Sequence, residues 1–213
     1  MAVISNKSKL VYFPIPKIAC SSIKSMFFEL EYGLSKKEFR TKRPSFMLHQ
    51  HWPSVAFEVS KRDVKEGFQK IVVIRQPKKR FFSGFNEKVL IKKEGNFINK
   101  CNELNLNTNP NINEFILNFE RYCKIPIIYS HFRPMSFFLG EDLNYFDLIF
   151  SLENIKEFEE FMSERIQQKI IIPKINSHKK KFKSNEISNE AKNMLEKILH
   201  QDNILFQQYL SIS

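Results

Sequence analysis

The chain has 213 residues, 42% of them hydrophobic and 14% aromatic, with 34 Lys and Arg against 23 Asp and Glu for a formal charge of +11. That length and apolar fraction fit one globular domain over residues 1–213, and no run approaches the roughly 20 apolar residues of a membrane span. The charge implies an acidic partner (nucleic acid, an anionic membrane surface, or anionic small molecules and glycans) without choosing among them.

The first ten residues, MAVISNKSKL, have neither the hydrophobic stretch nor the cleavage pattern of a signal peptide. Three cysteines, Cys20, Cys101 and Cys123, are odd in number and lack metal-ligand spacing, which points to reduced thiols in a cytoplasm and to no metal.

The organising stretch is residues 11–28, VYFPIPKIACSSIKSMFF. It opens as a short apolar strand, is ended and stiffened by Pro14 and Pro16, and continues with the spacing of a helix in Ile23, Met26, Phe27 and Leu30. Between them lie Lys17 and the small residues Ala19, Cys20, Ser21 and Ser22. A strand, a tight loop with one lysine and a helix N-terminus make an anion site, because first-turn amides and the helix dipole favour negative charge. The plainer reading is a solvated lysine and serines that only cap a helix. The loop is not a Walker A motif, since GxxxxGK[ST] is absent.

Residues 35–43 (SKKEFRTKR) read as a basic, irregular stretch, and 47–53 (MLHQHWP) as a loop carrying His49 and His51. That pair is either two surface histidines or polar groups brought into a pocket; no third metal ligand stands at a suggestive spacing. Residues 71–74 (IVVI) form the clearest strand, buried on both faces of a parallel sheet. Arg75 ends it, where open α/β sheets bind ligands, and Pro77 starts a helix carrying Ser83 and an apolar face of Phe81, Phe82, Phe85 and Val89. Arg75 suits a bidentate phosphate contact or a structural ion pair. Residues 90–113 read as a long Asn-rich loop, 112–122 as a helix, 146–152 as a buried strand, 153–166 as an amphipathic helix and 187–199 as a closing helix. Between the last two, residues 170–183 turn from apolar to strongly basic: a solvated lysine run, or a loop folded over a polyanion with Asn176, Ser177 and Lys179.

In this order the stretches resemble the carbohydrate sulfotransferases, the family of Golgi and bacterial polysaccharide sulfotransferases. Residues 15–24 (IPKIACSSIK) resemble its 5′-phosphosulfate loop. Residues 72–83 (VVIRQPKKRFFS) resemble its 3′-phosphate motif, with Gln76 in place of the usual aspartate. Residues 131–139 (HFRPMSFFL) resemble a later block, with Met135 in place of the usual glutamine. The resemblance covers nearly the whole chain outside residues 90–113. It implies an α/β fold, a central parallel sheet flanked by helices with a P-loop-like phosphosulfate loop, and 3′-phosphoadenosine 5′-phosphosulfate as donor with no metal. Lys17 and the amides of Ala19, Cys20, Ser21 and Ser22 then hold the 5′-phosphosulfate. Arg75 and Ser83 take the 3′-phosphate, and the loop with Asn176, Ser177 and Lys179 covers the nucleotide. His49-Gln50-His51 is similar to the His-x-His of the uronyl 2-O-sulfotransferases, which makes His51 the first candidate for the base and His49 the second. The acceptor is expected to be a carbohydrate or other anionic hydroxyl compound, and the enzyme a soluble bacterial cytoplasmic one acting on no nucleic acid. The competing readings are a kinase with an atypical P-loop and a basic nucleic-acid-binding module; the missing Walker glycines and the lack of a recognition motif stand against them.

Overall fold

The computed structural model describes residues 1–91, 96–173 and 187–210. In chain order the elements are β1 (Val3–Ser5), β2 (Leu10–Tyr12), α1 (Cys20–Tyr32), α2 (Lys36–Lys42), α3 (Leu48–His51), α4 (Phe57–Ser60), β3 (Gln69–Ile74), α5 (Pro77–Gly84), α6 (Phe97–Glu103), α7 (Ile112–Leu117), α8 (Phe119–Tyr122), α9 (Pro126–Phe132), α10 (Met135–Leu139), β4 (Leu148–Ser151), α11 (Ile155–Ile166) and α12 (Asn189–Leu210). The chain is α/β, and its described residues fall into two compact units.

The first unit takes the described parts of residues 1–75, 135–176 and 205–213. Its sheet has the order β1-β2-β3-β4. β2, β3 and β4 run parallel, with Leu10 opposite Gln69 and Ile74 opposite Ser151. The expected parallel sheet therefore gains an antiparallel edge in β1, whose Val3 faces Tyr12 across a short hairpin. Ile71, Val72, Val73 and Ile74 have no exposed surface, as a strand covered on both faces requires. Tyr12 stacks on Phe27 at 5.8 Å, and Phe13 meets Phe146 edge-on at 5.1 Å. Each such buried aromatic contributes about 1.5–3 kcal/mol. Gly140, at φ +74°, lies so close to the Phe57 ring that a Cβ there would come within 2.8 Å of it.

Two segments read as irregular are helical. Residues 36–42 form α2, started by a capping box in which the Ser35 hydroxyl and the Glu38 carboxylate each accept from the other's amide. Residues 48–51 form one turn, α3, with Leu48 buried beneath it.

The second unit takes the described parts of residues 76–134 and 177–204. Pro77 occupies the first turn of α5, where its missing N–H costs nothing. The helical path then widens to a π-helix over Phe85–Ile91, so Phe81, Phe85 and Val89 share one buried face. The stretch expected as a long loop contains α6, which buries Phe97 and Cys101. The helix expected over 112–122 breaks at Asn118, whose side-chain amide bonds back to the Glu114 carbonyl at 3.1 Å. No helix of the described residues is long and apolar enough to cross a membrane.

Candidate active site

Three parallel strands of the first unit end on the same edge of the sheet, and the residues that follow them meet there. After β2 the chain passes Pro14 and Pro16 and enters α1 through two non-glycine residues with left-handed backbone, Lys17 at φ 72° and Ala19 at φ 46°. Such conformations cost of order 1–3 kcal/mol each and persist only where the surroundings impose them. The loop holds no glycine that would relieve them. The first helical bonds run from the amides of Ser22 (2.9 Å) and Ile23 (3.0 Å) to the Ala19 carbonyl. The amides of Cys20 and Ser21 lie before that ladder, at the positive end of a 13-residue helix. Ser22 is turned inward: its hydroxyl donates to the Pro173 carbonyl at 2.8 Å. With its amide also engaged, its side chain braces the loop against Pro173.

Arg75 follows β3, and its Nη1 donates to the Lys17 carbonyl at 3.1 Å. Its Nε is 3.9 Å from Oε1 of Glu153, which follows β4. That separation is too long for a hydrogen bond, and the buried Nε has no hydrogen-bond partner among the described residues. Burial lowers the Arg75 pKa and Glu153 opposes that shift. An orphaned guanidinium N–H beside a strained loop at a helix N-terminus fits an oxyanion ligand, whose oxygens can accept from it.

α3 carries the two candidate histidines. Successive residues of a helix turn by about 100°, so His49 and His51 point roughly 200° apart. His49 Nε2 lies 2.9 Å from the Ser21 hydroxyl, in the anion loop. Its Nδ1 lies 3.5 Å from Nζ of Lys24, which also donates to the Ser54 hydroxyl at 3.3 Å. Lys24 is wholly buried, and that burial lowers its pKa, with Cys20 acting in the opposite sense. His51 faces the other way. Its Nε2 is 3.2 Å from the Tyr32 hydroxyl, and its ring packs against Trp52 at 4.7 Å and Phe46 at 5.6 Å. Burial lowers its pKa. It lines a cavity of about 590 Å³ with Tyr32, Trp52, Glu31, Asp63 and Lys65. The histidine ranked first from the sequence is thus the one turned away from Ser21, and the one ranked second touches it.

The structure therefore gathers Lys17, Ala19, Cys20, Ser21, Ser22, Arg75 and His49 at one edge of the first unit. Ser83 lies half-buried on α5 in the second unit. Asn176, Ser177 and Lys179 lie outside the described residues. No group of three or more His, Cys, Asp or Glu able to hold a metal occurs among the described residues. Sequence reasoning missed Lys24, Ser54 and Glu153. A signal for Lys24 exists: it precedes Phe27 and Phe28 by three and four residues, which sets it on the inward face of α1.

The sequence model of the sulfotransferase family matches residues 1–209. No curated protein and no solved structure matches the chain.

Proposed function

This chain belongs to the sulfotransferase family, and on that premise we propose that it transfers a sulfuryl group from 3′-phosphoadenosine 5′-phosphosulfate to a carbohydrate hydroxyl, with His49 as general base. The donor, when bound, supplies a sulfuryl group already activated by its bond to a phosphate. The protein's part is to hold that anion, orient the acceptor and take its proton. Lys17 and the amides of Cys20 and Ser21 grip the phosphosulfate end, where fixed positive groups neutralise the charge that develops on the leaving oxygen. Arg75 supports the loop through the Lys17 carbonyl and offers its remaining N–H groups to the 3′-phosphate. His49, at hydrogen-bond distance from Ser21, stands beside the loop where an acceptor hydroxyl must come to react. His51, paired with the Tyr32 hydroxyl among aromatic rings, has no such neighbour, so the base is assigned to His49.

The observation that carries this reading is the 3.1 Å bond from Arg75 to the Lys17 carbonyl. It joins the ends of two parallel strands into one cationic cradle, at the edge of the sheet where α/β folds bind ligands. An acidic glycan as acceptor is supported by α2 and its C-terminal neighbour, which expose Lys37, Arg40, Lys42 and Arg43.

The test is a titration of adenosine 3′,5′-bisphosphate and adenosine 5′-phosphate into the wild type and Lys17→Ala. Preferential binding of the bisphosphate, weakened in the variant, is expected. Equal affinity for both nucleotides, or none for either, removes the donor assignment. A radiolabelled-sulfate screen over neutral and acidic glycans then reads the acceptor; label transferred only to non-carbohydrate alcohols removes that part.

A further inference from the structure

β3 and β4 run in parallel register with Ile74 opposite Ser151, so the residues just beyond them emerge side by side. Beyond β3 is Arg75, tied to the anion loop through the Lys17 carbonyl. Beyond β4 the chain makes one 3₁₀ turn, Leu152–Asn154, capped by the Ser151 hydroxyl, which accepts from the Glu153 amide at 3.2 Å. The same hydroxyl donates to Oε2 of Glu153 at 3.2 Å. The carboxylate is thereby pinned with Oε1 3.9 Å from Arg75 Nε, and only 13% of its side chain is exposed.

A carboxylate repels phosphate, so its place in a phosphate-binding cradle calls for a reason. Support of Arg75 is an incomplete one: 3.9 Å is too long for a hydrogen bond, and the buried Nε–H has no such partner among the described residues. Taken together, the two side chains set a group that only donates beside a group that only accepts. Two carboxylate oxygens have room for about four donors, so the bond from Ser151 does not fill them. A 3′-phosphorylated ribose carries the reverse pair on adjacent carbons, a phosphate that accepts and a 2′-hydroxyl with a proton to give. The adenine amino group lies on the far side of the sugar from that phosphate, which leaves the 2′-hydroxyl as the nearest donor. Dinucleotide-binding α/β folds likewise turn a carboxylate toward a ribose 2′-hydroxyl.

We infer that Glu153 is a specificity-determining residue that accepts a hydrogen bond from the ribose 2′-hydroxyl of the donor nucleotide, while Arg75 holds the 3′-phosphate beside it. The inference rests on the reading of Arg75 as the 3′-phosphate ligand. It makes the cradle one for ribonucleotides. A 2′-deoxy nucleotide strips water from the carboxylate without returning a donor, and a hydrogen-bonding site rejects a ligand for that reason. The rejection stays moderate because Ser151 remains on Oε2 in either case.

Isothermal titration of adenosine 3′,5′-bisphosphate and its 2′-deoxy analogue into the wild type, Glu153→Gln and Glu153→Ala removes the carboxylate and the hydroxyl separately and together. The wild type is expected to bind the ribonucleotide roughly 10-fold or more tightly than the deoxynucleotide, the scale of a hydrogen bond to a charged group. Glu153→Gln, which keeps an acceptor oxygen without the charge, is expected to retain part of that preference and Glu153→Ala none. Any change of sugar shape on deoxygenation is common to the three proteins and drops out of the comparison. Equal affinities in the wild type overturn the inference. So does a preference carried over in full to Glu153→Ala, which leaves Glu153 only its ion pair with Arg75. Should Glu153→Ala fail to fold, the 2′-fluoro analogue decides on the wild type alone. Fluorine has no proton for a carboxylate, so that analogue is expected to bind no better than the deoxynucleotide. Affinity restored by fluorine means that a protein donor reads the position, and overturns the inference. Equal binding of adenosine 5′-phosphate and the bisphosphate removes the donor assignment and the inference with it, whatever the ratio of ribo to deoxy.

Discussion

His49 and His51 stand two residues apart on one helical turn, yet they face different chemistries. On His49's side are a serine of the anion loop and a buried lysine; on His51's side are Tyr32, Phe46 and Trp52. The residue type is the same and the local backbone is the same. What differs is which polar groups lie within reach, and that difference separates a candidate base from a ring packed against aromatic rings. A His-x-His motif on a helix cannot bring both rings to one ligand atom, whereas on a strand the two would share a face.

The sharpest way to break the comparison is to remove each ring in turn. His49→Ala is expected to lower kcat by roughly 10²–10⁴-fold and His51→Ala by less than about 10-fold, with unchanged circular dichroism in both. Reversed losses would return the base to His51. Next in size is Lys17→Ala, expected to lower kcat by about 10²-fold as removal of one fixed oxyanion partner does, while Lys65→Ala, on the side of the His51 cavity, leaves turnover in place. Measured kcat under saturating donor checks both.

The two sides also differ toward protons. Burial holds the His51 pKa below its ordinary 6.5. The unfolded chain therefore takes up a proton near pH 6.5 while the folded protein does not, so stability is full above 6.5 and declines as pH falls toward the folded value. His51→Phe is expected to flatten that part of the curve of melting temperature against pH; an unaltered slope assigns it to another group. The smallest expected effect belongs to the loop. Ala19→Gly relieves a left-handed alanine worth about 1–2 kcal/mol but frees the unfolded chain by about 0.4–1, leaving a net gain between about 0 and about 1.6 kcal/mol. Thermal melts of the variant read it, and a lowered melting temperature contradicts the strain.

Much of this was legible before any coordinates. The β-branched run 71–74 left no choice but a buried strand, and the apolar spacing after Ser22 fixed α1. The joining of Lys17 to Arg75 follows from two strand ends lying side by side in a parallel sheet. Other parts were hidden for identifiable reasons. α2 was masked by its charge, although Ser35 and Glu38 spell its capping box. β1 has three residues, too few for alternation to register, and its pairing is what makes the sheet mixed. α6 lies among asparagines that favour turns, and only Phe97 and Cys101 at i and i+4 mark it. The turn at α3 was the consequential omission, since the loop reading of 47–53 gave no reason to set His49 and His51 on opposite sides. Lys24 escaped because a lysine among phenylalanines reads as an interruption of the apolar face and not as a neighbour of His49 and Ser54.

The glycine-free passage from β2 to α1 bears on how fast a ligand comes and goes. A segment holding Lys17 and Ala19 in the left-handed basin, braced by Ser22 and Arg75, has few other shapes to visit while empty. Capture then freezes little backbone freedom, so encounter need not wait for the loop to rearrange. Stopped-flow traces with adenosine 3′,5′-bisphosphate are accordingly expected to be single-exponential, with an observed rate that climbs linearly with nucleotide and shows no plateau.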